Sequence, residues 1–159
     1  MTSSRPILFA TDGSPSAAEA QKNAFELALR LAAPLLVVSV AHPVLPAVGY
    51  SAYGYSNVVA EVRDAERKRV EELVTSIAET AEGEGVHCTT VTLDGQIVDE
   101  ICRKASEYEA QLIVVGSHGW GAARRFLSGS VSTGLVHSAP CPVLVVRSSA
   151  EAREHAAAA

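Results

Sequence analysis

Short, uninterrupted apolar runs alternate along this chain with longer segments in which apolar residues recur every three to four positions. The runs are typical of strands that are buried on both faces, and the spaced segments are typical of amphipathic helices that cover such strands. The strands predicted from such runs are residues 6–10, 35–40, 112–115 and 142–147, and a further strand is predicted at residues 87–93, which include three threonines.

Four helices are predicted between these strands. The first begins at a capping box, with Ser16 as N-cap and Glu19 as its reciprocal partner, and runs to about Ala32. The second places apolar residues on one face and the charges of EVRDAERKRVEE on a solvent-facing one. The helices after the first are residues 58–81, a segment carrying Ile97, Ile101, Cys102 and Ala105, and residues 130–137.

The alternation of strands and helices predicts an α/β fold. We expect a single doubly wound, five-stranded parallel sheet of strand order 3-2-1-4-5, with right-handed crossovers and helices on both faces. This domain covers residues 1–147, and residues 148–159 are expected to form a flexible C-terminal tail. Residues 41–57 have no period, and the sequence assigns no role to this loop.

Composition and charge narrow the classes of partner. The 159 residues are 48% hydrophobic and 19% charged, which is ordinary for a globular protein, and the formal net charge is −5. Such a chain has no global basic field for nucleic acid, so an anion site would have to be local. The three cysteines form no C-x-x-C pair, and we expect neither a disulfide framework nor a zinc site but a reducing compartment.

Two further features bear on location. The apolar stretch near the N-terminus is too short for a secretory signal. Residues 31–50 lack charged side chains, but Pro34, Pro43 and Pro46 interrupt them, so we read a buried strand and a loop rather than a membrane span. We therefore expect a cytoplasmic protein without a membrane partner.

The candidate chemistry lies in two unusual turns, TDGS after the first predicted strand and GSHG after the fourth. In a doubly wound sheet, ligands bind beyond the carboxyl ends of the strands, where the winding direction reverses. With the first strand in the centre, both turns fall at that position. The sequence thus predicts a ligand site between them.

The glycine spacing after the fourth strand selects the class of ligand. The chain has no P-loop, no dinucleotide fingerprint after the first strand and no G-x-S-x-G nucleophile elbow. It does have Gly116, two residues, Gly119, nine residues, and then Gly129 and Ser130 opening a helix. A glycine before a helix N-terminus lets a phosphate approach free main-chain amides, and Ser130 adds a hydroxyl donor.

This G-x2-G-x9-G-[ST] motif, the aspartate that closes the first strand and the final APCPVLVVR strand resemble the universal stress protein family in its ATP-binding branch. The resemblance extends from Ile7 to Arg147. It implies an ATP site in which Asp12 accepts from the ribose hydroxyls and Val40 helps to form the adenine slot. The remaining implied ligand residues are Gly116 and Gly119 at the ribose and phosphates, and Gly129, Ser130 and Val131 at the outer phosphates.

The family resemblance also implies partners. The histidines share no ligand spacing, so we expect no metal site made by the protein alone. Mg²⁺ or Mn²⁺ would instead arrive with the triphosphate. A homodimer would form by edge pairing of the last strand, residues 142–146. The apolar PVLVV of that strand agrees, since an exposed apolar edge is a liability unless it is paired.

Alternative interpretations stay open at this point. Asp12 could merely cap the following helix, His118 has no evident carboxylate partner for base catalysis, and Arg124 and Arg125 are as consistent with solvent as with phosphate. We favour a nucleotide-dependent dimeric regulator of the stress response. A slow ATPase or phosphate-transferring enzyme, and a ligand-free dimeric interaction module, are the alternatives.

Overall fold

Nine helices and strands follow one another in the part of the chain that the computed structural model describes, residues 4–41, 55–118 and 130–148. They are β1 (Ile7–Ala10), α1 (Pro15–Leu31), β2 (Leu35–Ala41), α2 (Tyr55–Gly83), β3 (Cys88–Asp94), α3 (Ile97–Glu107), β4 (Leu112–Gly116), α4 (Ser130–Ser138) and β5 (Val143–Val146). Most of these bounds differ from the predicted ones by one or two residues. The exception is α2, which begins three residues earlier than predicted.

The five strands form one parallel sheet in the order β3-β2-β1-β4-β5. This confirms the predicted α/β fold and its strand order. Ala10, the last residue of β1, pairs with Val38 of β2 on one side and with Val115 of β4 on the other. The winding direction reverses between β1 and β4, so the carboxyl ends of these two strands define the switch point.

Side chains of the central strands alternate between two cores, one on each face of the sheet. Ile7 and Phe9 of β1 point into the first core, which α1 and α2 cover, and Leu8 and Ala10 point into the second, which α3 and α4 cover. All four side chains are fully buried. Burial on both faces is the reason that β1, β2 and β4 are uninterrupted apolar runs in the sequence.

The start of α1 differs from the prediction. The N-cap is Ser14, whose Oγ accepts the N–H of Ala17 at 3.3 Å, and Pro15 occupies the first helical position. The predicted capping box between Ser16 and Glu19 is therefore wrong. Ser16 lies inside the helix and is buried, and its hydroxyl is engaged by a distant part of the chain.

α2 is much longer than the strand that follows it. Its 29 residues span about 43 Å at the usual helical rise, whereas the 7 residues of β3 span about 23 Å. Arg67 Nη1 lies 2.8 Å from Oδ2 of Asp94, the last residue of β3, which places residue 67 level with the carboxyl edge of the sheet. The segment of α2 that precedes residue 67 therefore projects beyond that edge.

Several predictions fall on parts of the chain that lie outside the described residues. These parts are residues 149–159 of the predicted tail, residues 42–54 of the aperiodic loop and residues 119–129 of the glycine motif. The division into a domain and a tail remains a prediction. Within the described ranges, no helix combines the length and the apolar character that a bilayer crossing requires.

Candidate functional site

The turn that follows β1 is built by its own side chains. Asp12 Oδ1 accepts the N–H of Ser14 at 2.9 Å, and Thr11 Oγ1 accepts the N–H of Gly13 at 3.2 Å. Gly13 has a φ of 78°, a left-handed conformation that glycine adopts without strain. Since Ser14 is the N-cap of α1, Asp12 is not the capping residue, and its carboxylate instead shapes the turn ahead of the helix.

Thr11 anchors this turn to the sheet. Its N–H donates to the carbonyl of Val38 at 3.0 Å, and its own carbonyl accepts the hydroxyl of Ser39 at 2.7 Å. Thr11 and Ser39 are both buried. The position of Asp12 is therefore set by β2 as well as by β1.

The turn that follows β4 is held by two other elements. The N–H of Ser117 donates to the carbonyl of Val146 in β5 at 2.8 Å, and the hydroxyl of Ser132 in α4 donates to the carbonyl of Ser117 at 3.4 Å. The second contact places the first turn of α4 beside the end of β4. The N-terminal amides of a helix, which lack intrahelical acceptors, thus lie at the switch point.

Serine hydroxyls join the two turns. Ser16 Oγ donates to the carbonyl of His118 and accepts the N–H of His118 at 3.3 Å, and Ser14 Oγ lies 3.3 Å from the same carbonyl. The ring of His118 contacts the neighbouring Ser117, with 3.2 Å between Nδ1 and Oγ. The start of the glycine motif is therefore attached to the first turn of α1.

Gly116 has a packing role that the sequence did not indicate. A Cβ at this position would lie 2.8 Å from the carbonyl carbon of Ser16 and 2.9 Å from the N of Ala17, closer than real Cβ atoms approach other atoms. The backbone of α1 therefore requires glycine at the end of β4, with or without a ligand. The predicted contact of Gly116 with a nucleotide stays a prediction.

Val40 is buried near the end of β2. The residue as a whole is 1% exposed, and its side chain belongs to the second core, together with Leu36 and Val38. Since β1 ends at the residue that pairs with Val38, Val40 lies beyond the last β1 pair. The predicted contribution of Val40 to an adenine slot stays a prediction.

The other predicted ligand residues belong to the stretch after His118. Ser130 is the exposed first residue of α4, and Val131 is half-buried against the second core. Gly119, Gly129, Arg124 and Arg125 lie outside the described residues.

α2 supplies two charged residues to the site that sequence reasoning placed on a solvent-facing surface. Arg69 donates through Nε and Nη2 to the two carboxylate oxygens of Glu66, at 2.8 Å each. This bidentate hydrogen bond raises the pKa of Arg69, and the negative charges of Glu66 and Asp12 raise it further. Glu66 and Arg69 lie between Val62 and Leu73 at helical spacing, on the side of α2 that is otherwise apolar. A charged pair on that side was the signal in the sequence that could have identified them.

Comparisons with known proteins identify the family of the chain. Residues 3–147 match the model of the universal stress protein family. A universal stress protein of Methanocaldococcus jannaschii is 34% identical over 143 residues, which are 90% of this chain and 82% of that protein.

Two solved structures have the same fold. The universal stress protein UspA from Lactobacillus plantarum superimposes with a TM-score of 0.78 at 26% identity, over 92% of this chain and 100% of that one. A universal stress protein from Archaeoglobus fulgidus in complex with dAMP superimposes with a TM-score of 0.56 at 25% identity, over 91% of this chain and 99% of that one. With the family model matched over nearly the whole chain, the chain belongs to the universal stress protein family.

Proposed function

We propose that this chain binds ATP in the crevice between the carboxyl ends of β1 and β4, and that it acts as a dimeric, nucleotide-dependent regulator in the stress response. One observation carries the proposal. Ser16 in the first turn of α1 is hydrogen-bonded to the main chain of His118, inside the G-x2-G-x9-G-[ST] motif. The turn that carries Asp12 and the glycine motif are far apart in the sequence. This contact therefore holds them next to each other at the switch point of the sheet.

Each part of the nucleotide has a proposed partner. Asp12 accepts hydrogen bonds from the ribose hydroxyls, since its carboxylate is held at the crevice by the turn it shapes. Val40 helps to form the adenine slot. The phosphates lie against main-chain amides and hydroxyls of Gly116, Gly119, Gly129, Ser130 and Val131.

The N-terminus of α4 supports a phosphate at that end of the crevice. Ser132 holds the first turn of α4 against Ser117, so the positive end of the helix dipole lies beside the glycine motif. A divalent cation, Mg²⁺ or Mn²⁺, enters with the triphosphate and neutralises part of its charge. The 25% identical Archaeoglobus protein, in complex with dAMP, supports an adenine nucleotide as the ligand class.

The proposed dimer uses the edge of the sheet. β5 ends the strand order, its four residues are half-buried, and all four are valine or leucine. Pairing of two β5 edges around a twofold axis would cover this apolar strand.

Equilibrium dialysis of Mg²⁺-ATP against the wild-type protein and an Asp12→Asn variant tests the nucleotide site. We expect the wild type to bind Mg²⁺-ATP with a dissociation constant below about 1 mM. The variant should bind clearly more weakly, because a neutral amide is a weaker acceptor for ribose hydroxyls. Asp94→Asn is the matched control, since Asp94 also ends a strand but pairs with Arg67. Absence of wild-type binding at millimolar ATP would refute the proposal.

Two further readouts use the same samples. The fluorescence of Trp120, which lies between Gly119 and Gly129 in the sequence, should change on titration with Mg²⁺-ATP. Release of ADP over hours separates a regulator from a slow ATPase. Turnover that Asp12→Ala abolishes would favour the enzyme.

A further inference from the structure

Three residues of α2 lie on the side of the helix that packs on the β1 turn. Glu66, Arg69 and Leu73 follow at spacings of three and four residues, which places them on one side of the helix. A Cβ on Gly13 would lie 3.3 Å from the methyl carbons of Leu73, so this side of α2 packs on the turn that carries Asp12.

The direction of α2 places Arg69 toward the carboxyl edge of the sheet, the edge at which a ligand is proposed to bind. The helix runs back toward the start of β3, so residues earlier than Leu73 lie progressively farther toward the carboxyl edge of the sheet. Arg69 lies about 6 Å beyond Leu73 along the helix axis. The ion pair between Arg67 and Asp94 holds this part of the helix beside the end of β3.

Glu66 orients the guanidinium of Arg69. The bidentate contact uses two of its five N–H groups and fixes the plane of the group. The Arg69 side chain keeps 51% of its surface exposed, whereas Glu66 keeps 21%. Arg69 is therefore an oriented cation that still faces solvent, one helical turn from the leucine that packs on the β1 turn.

We propose that Arg69 is a specificity-determining residue of the nucleotide site, one that offsets the carboxylate of Asp12 and so favours ligands with more phosphate groups. The inference rests on the proposed nucleotide function. Asp12 suits ribose hydroxyls but repels an approaching polyphosphate, and the chain as a whole carries a net charge of −5. A cation held beside Asp12 reduces this repulsion without removing the ribose acceptor.

An ordinary surface ion pair would behave differently. A helical pair three residues apart contributes at most about 1 kcal/mol to folding and has no reason to affect one ligand more than another. Dependence of the effect on ligand charge is therefore the diagnostic measurement.

The experiment is a titration series with adenosine, AMP, ADP and ATP, measured by calorimetry at low salt without divalent cations. Arg69→Gln should leave the affinity for adenosine unchanged and lower the affinities for the nucleotides by about threefold for each added negative charge. Arg69→Lys should restore most of the loss, and the effect should shrink at high salt. Glu66→Gln should change ATP affinity in the opposite direction.

Arg67→Gln is the matched control, because it removes the same charge from the same helix while its ion pairs are with Glu71 and with Asp94 at the end of β3, two strands away from β1. Equal effects of the two substitutions across the series, in a wild-type protein that binds nucleotides, would overturn the inference and leave the proposed function standing. A wild-type protein that binds none of the four ligands would overturn both. Thermal unfolding midpoints confirm that each variant is folded.

Discussion

Ser16 and His118 are 102 positions apart in the sequence, and the Ser16 hydroxyl both donates to the main-chain carbonyl of His118 and accepts its N–H. Ser16 is buried in the first turn of α1, so water cannot replace it easily. The two turns that border the crevice therefore share one side-chain bridge. Their relative position depends on a residue that the proposed nucleotide does not touch.

Replacement of Ser16 by alanine should weaken both the fold and the proposed site. The variant leaves two main-chain groups of His118 without this partner, and we expect the free energy of unfolding to fall by about 1–3 kcal/mol. Affinity for Mg²⁺-ATP should fall as well, because the glycine motif loses its attachment to α1. Urea unfolding and equilibrium dialysis measure the two effects.

Thr80→Ala is the control for loss of a hydroxyl. Thr80 is exposed, and its Oγ1 donates to the carbonyl of Ser76 within α2 at 2.9 Å. This substitution should alter neither quantity by more than about 0.5 kcal/mol. Unchanged ATP affinity in a destabilised Ser16→Ala protein would show that the bridge serves the fold alone.

Gly116 and Gly83 should respond in opposite ways to alanine. At Gly116 the new Cβ would meet main-chain atoms of Ser16 and Ala17 at 2.8 and 2.9 Å, so α1 must move away from β4. We expect a loss of at least about 2 kcal/mol in the free energy of unfolding. At Gly83, the last residue of α2, nothing lies within 4 Å, and alanine should be neutral or stabilising by up to about 1 kcal/mol.

Urea unfolding curves of the two variants measure this contrast. A Gly116→Ala protein as stable as wild type would mean that α1 does not approach β4 as closely as described. The measurement also isolates the packing role of Gly116 from any role in binding, since it needs no nucleotide.

The sheet and its switch point could be predicted from the sequence because central parallel strands are buried on both faces and therefore appear as continuous apolar runs. The start of α1 was predicted wrongly. Ser14 and Ser16 are both competent N-caps, but Pro15 directly follows Ser14, and proline is favoured at the first helical position, so a local signal for Ser14 was present. The contact of Ser16 with the main chain of His118 is a second reason, and the sequence does not show it.

The position of the switch point could be predicted from the sequence, but the roles of the residues around it could not. A glycine spaced for a phosphate and a glycine required by a neighbouring helix look the same in a sequence, so the packing role of Gly116 was missed. Arg69 was missed for a related reason. A charged residue on an amphipathic helix indicates solvent by default, and its proximity to Asp12 follows from how α2 packs on the β1 turn.

The cysteines predict a decrease of stability in alkaline solution. Burial raises the pKa values of Cys88, Cys102 and Cys141, with the charge of Glu82 adding to the effect at Cys88 and that of Asp99 at Cys102. The unfolded chain, whose thiols have pKa values of about 8.5, then loses protons before the folded one does. The stabilising contribution is complete below that pH and is lost as the pH rises through the folded-state values.

A variant with all three cysteines replaced by alanine serves as the reference. Urea unfolding from pH 7 to about pH 10 should show that wild-type stability declines relative to the variant above about pH 8.5, since the two proteins differ only in the thiols. A constant difference over this range would mean that the thiols are as accessible in the folded chain as in the unfolded one.

The proposed dimer can be tested by removing one amide from the outer edge of β5. The N–H groups of Ile113 and Ser117 in and after β4 donate to the carbonyls of Pro142 and Val146, so the even-numbered residues of β5 face β4. The main-chain groups of successive residues in a strand point to opposite sides of that strand. The N–H of Val145 therefore points away from β4, to the outer edge of the sheet.

Val145→Pro deletes this outward N–H and leaves the bonds to β4 in place, because proline is tolerated where an edge amide faces away from the sheet. If two β5 edges pair through their main chains, sedimentation equilibrium should show a dimer for the wild type and a monomer for the variant. Val145→Ala is the matched control, since it shortens the side chain and keeps the amide. Dissociation by alanine as well as by proline would attribute the contact to side chains rather than to strand pairing, and a monomeric wild type would refute the dimer altogether.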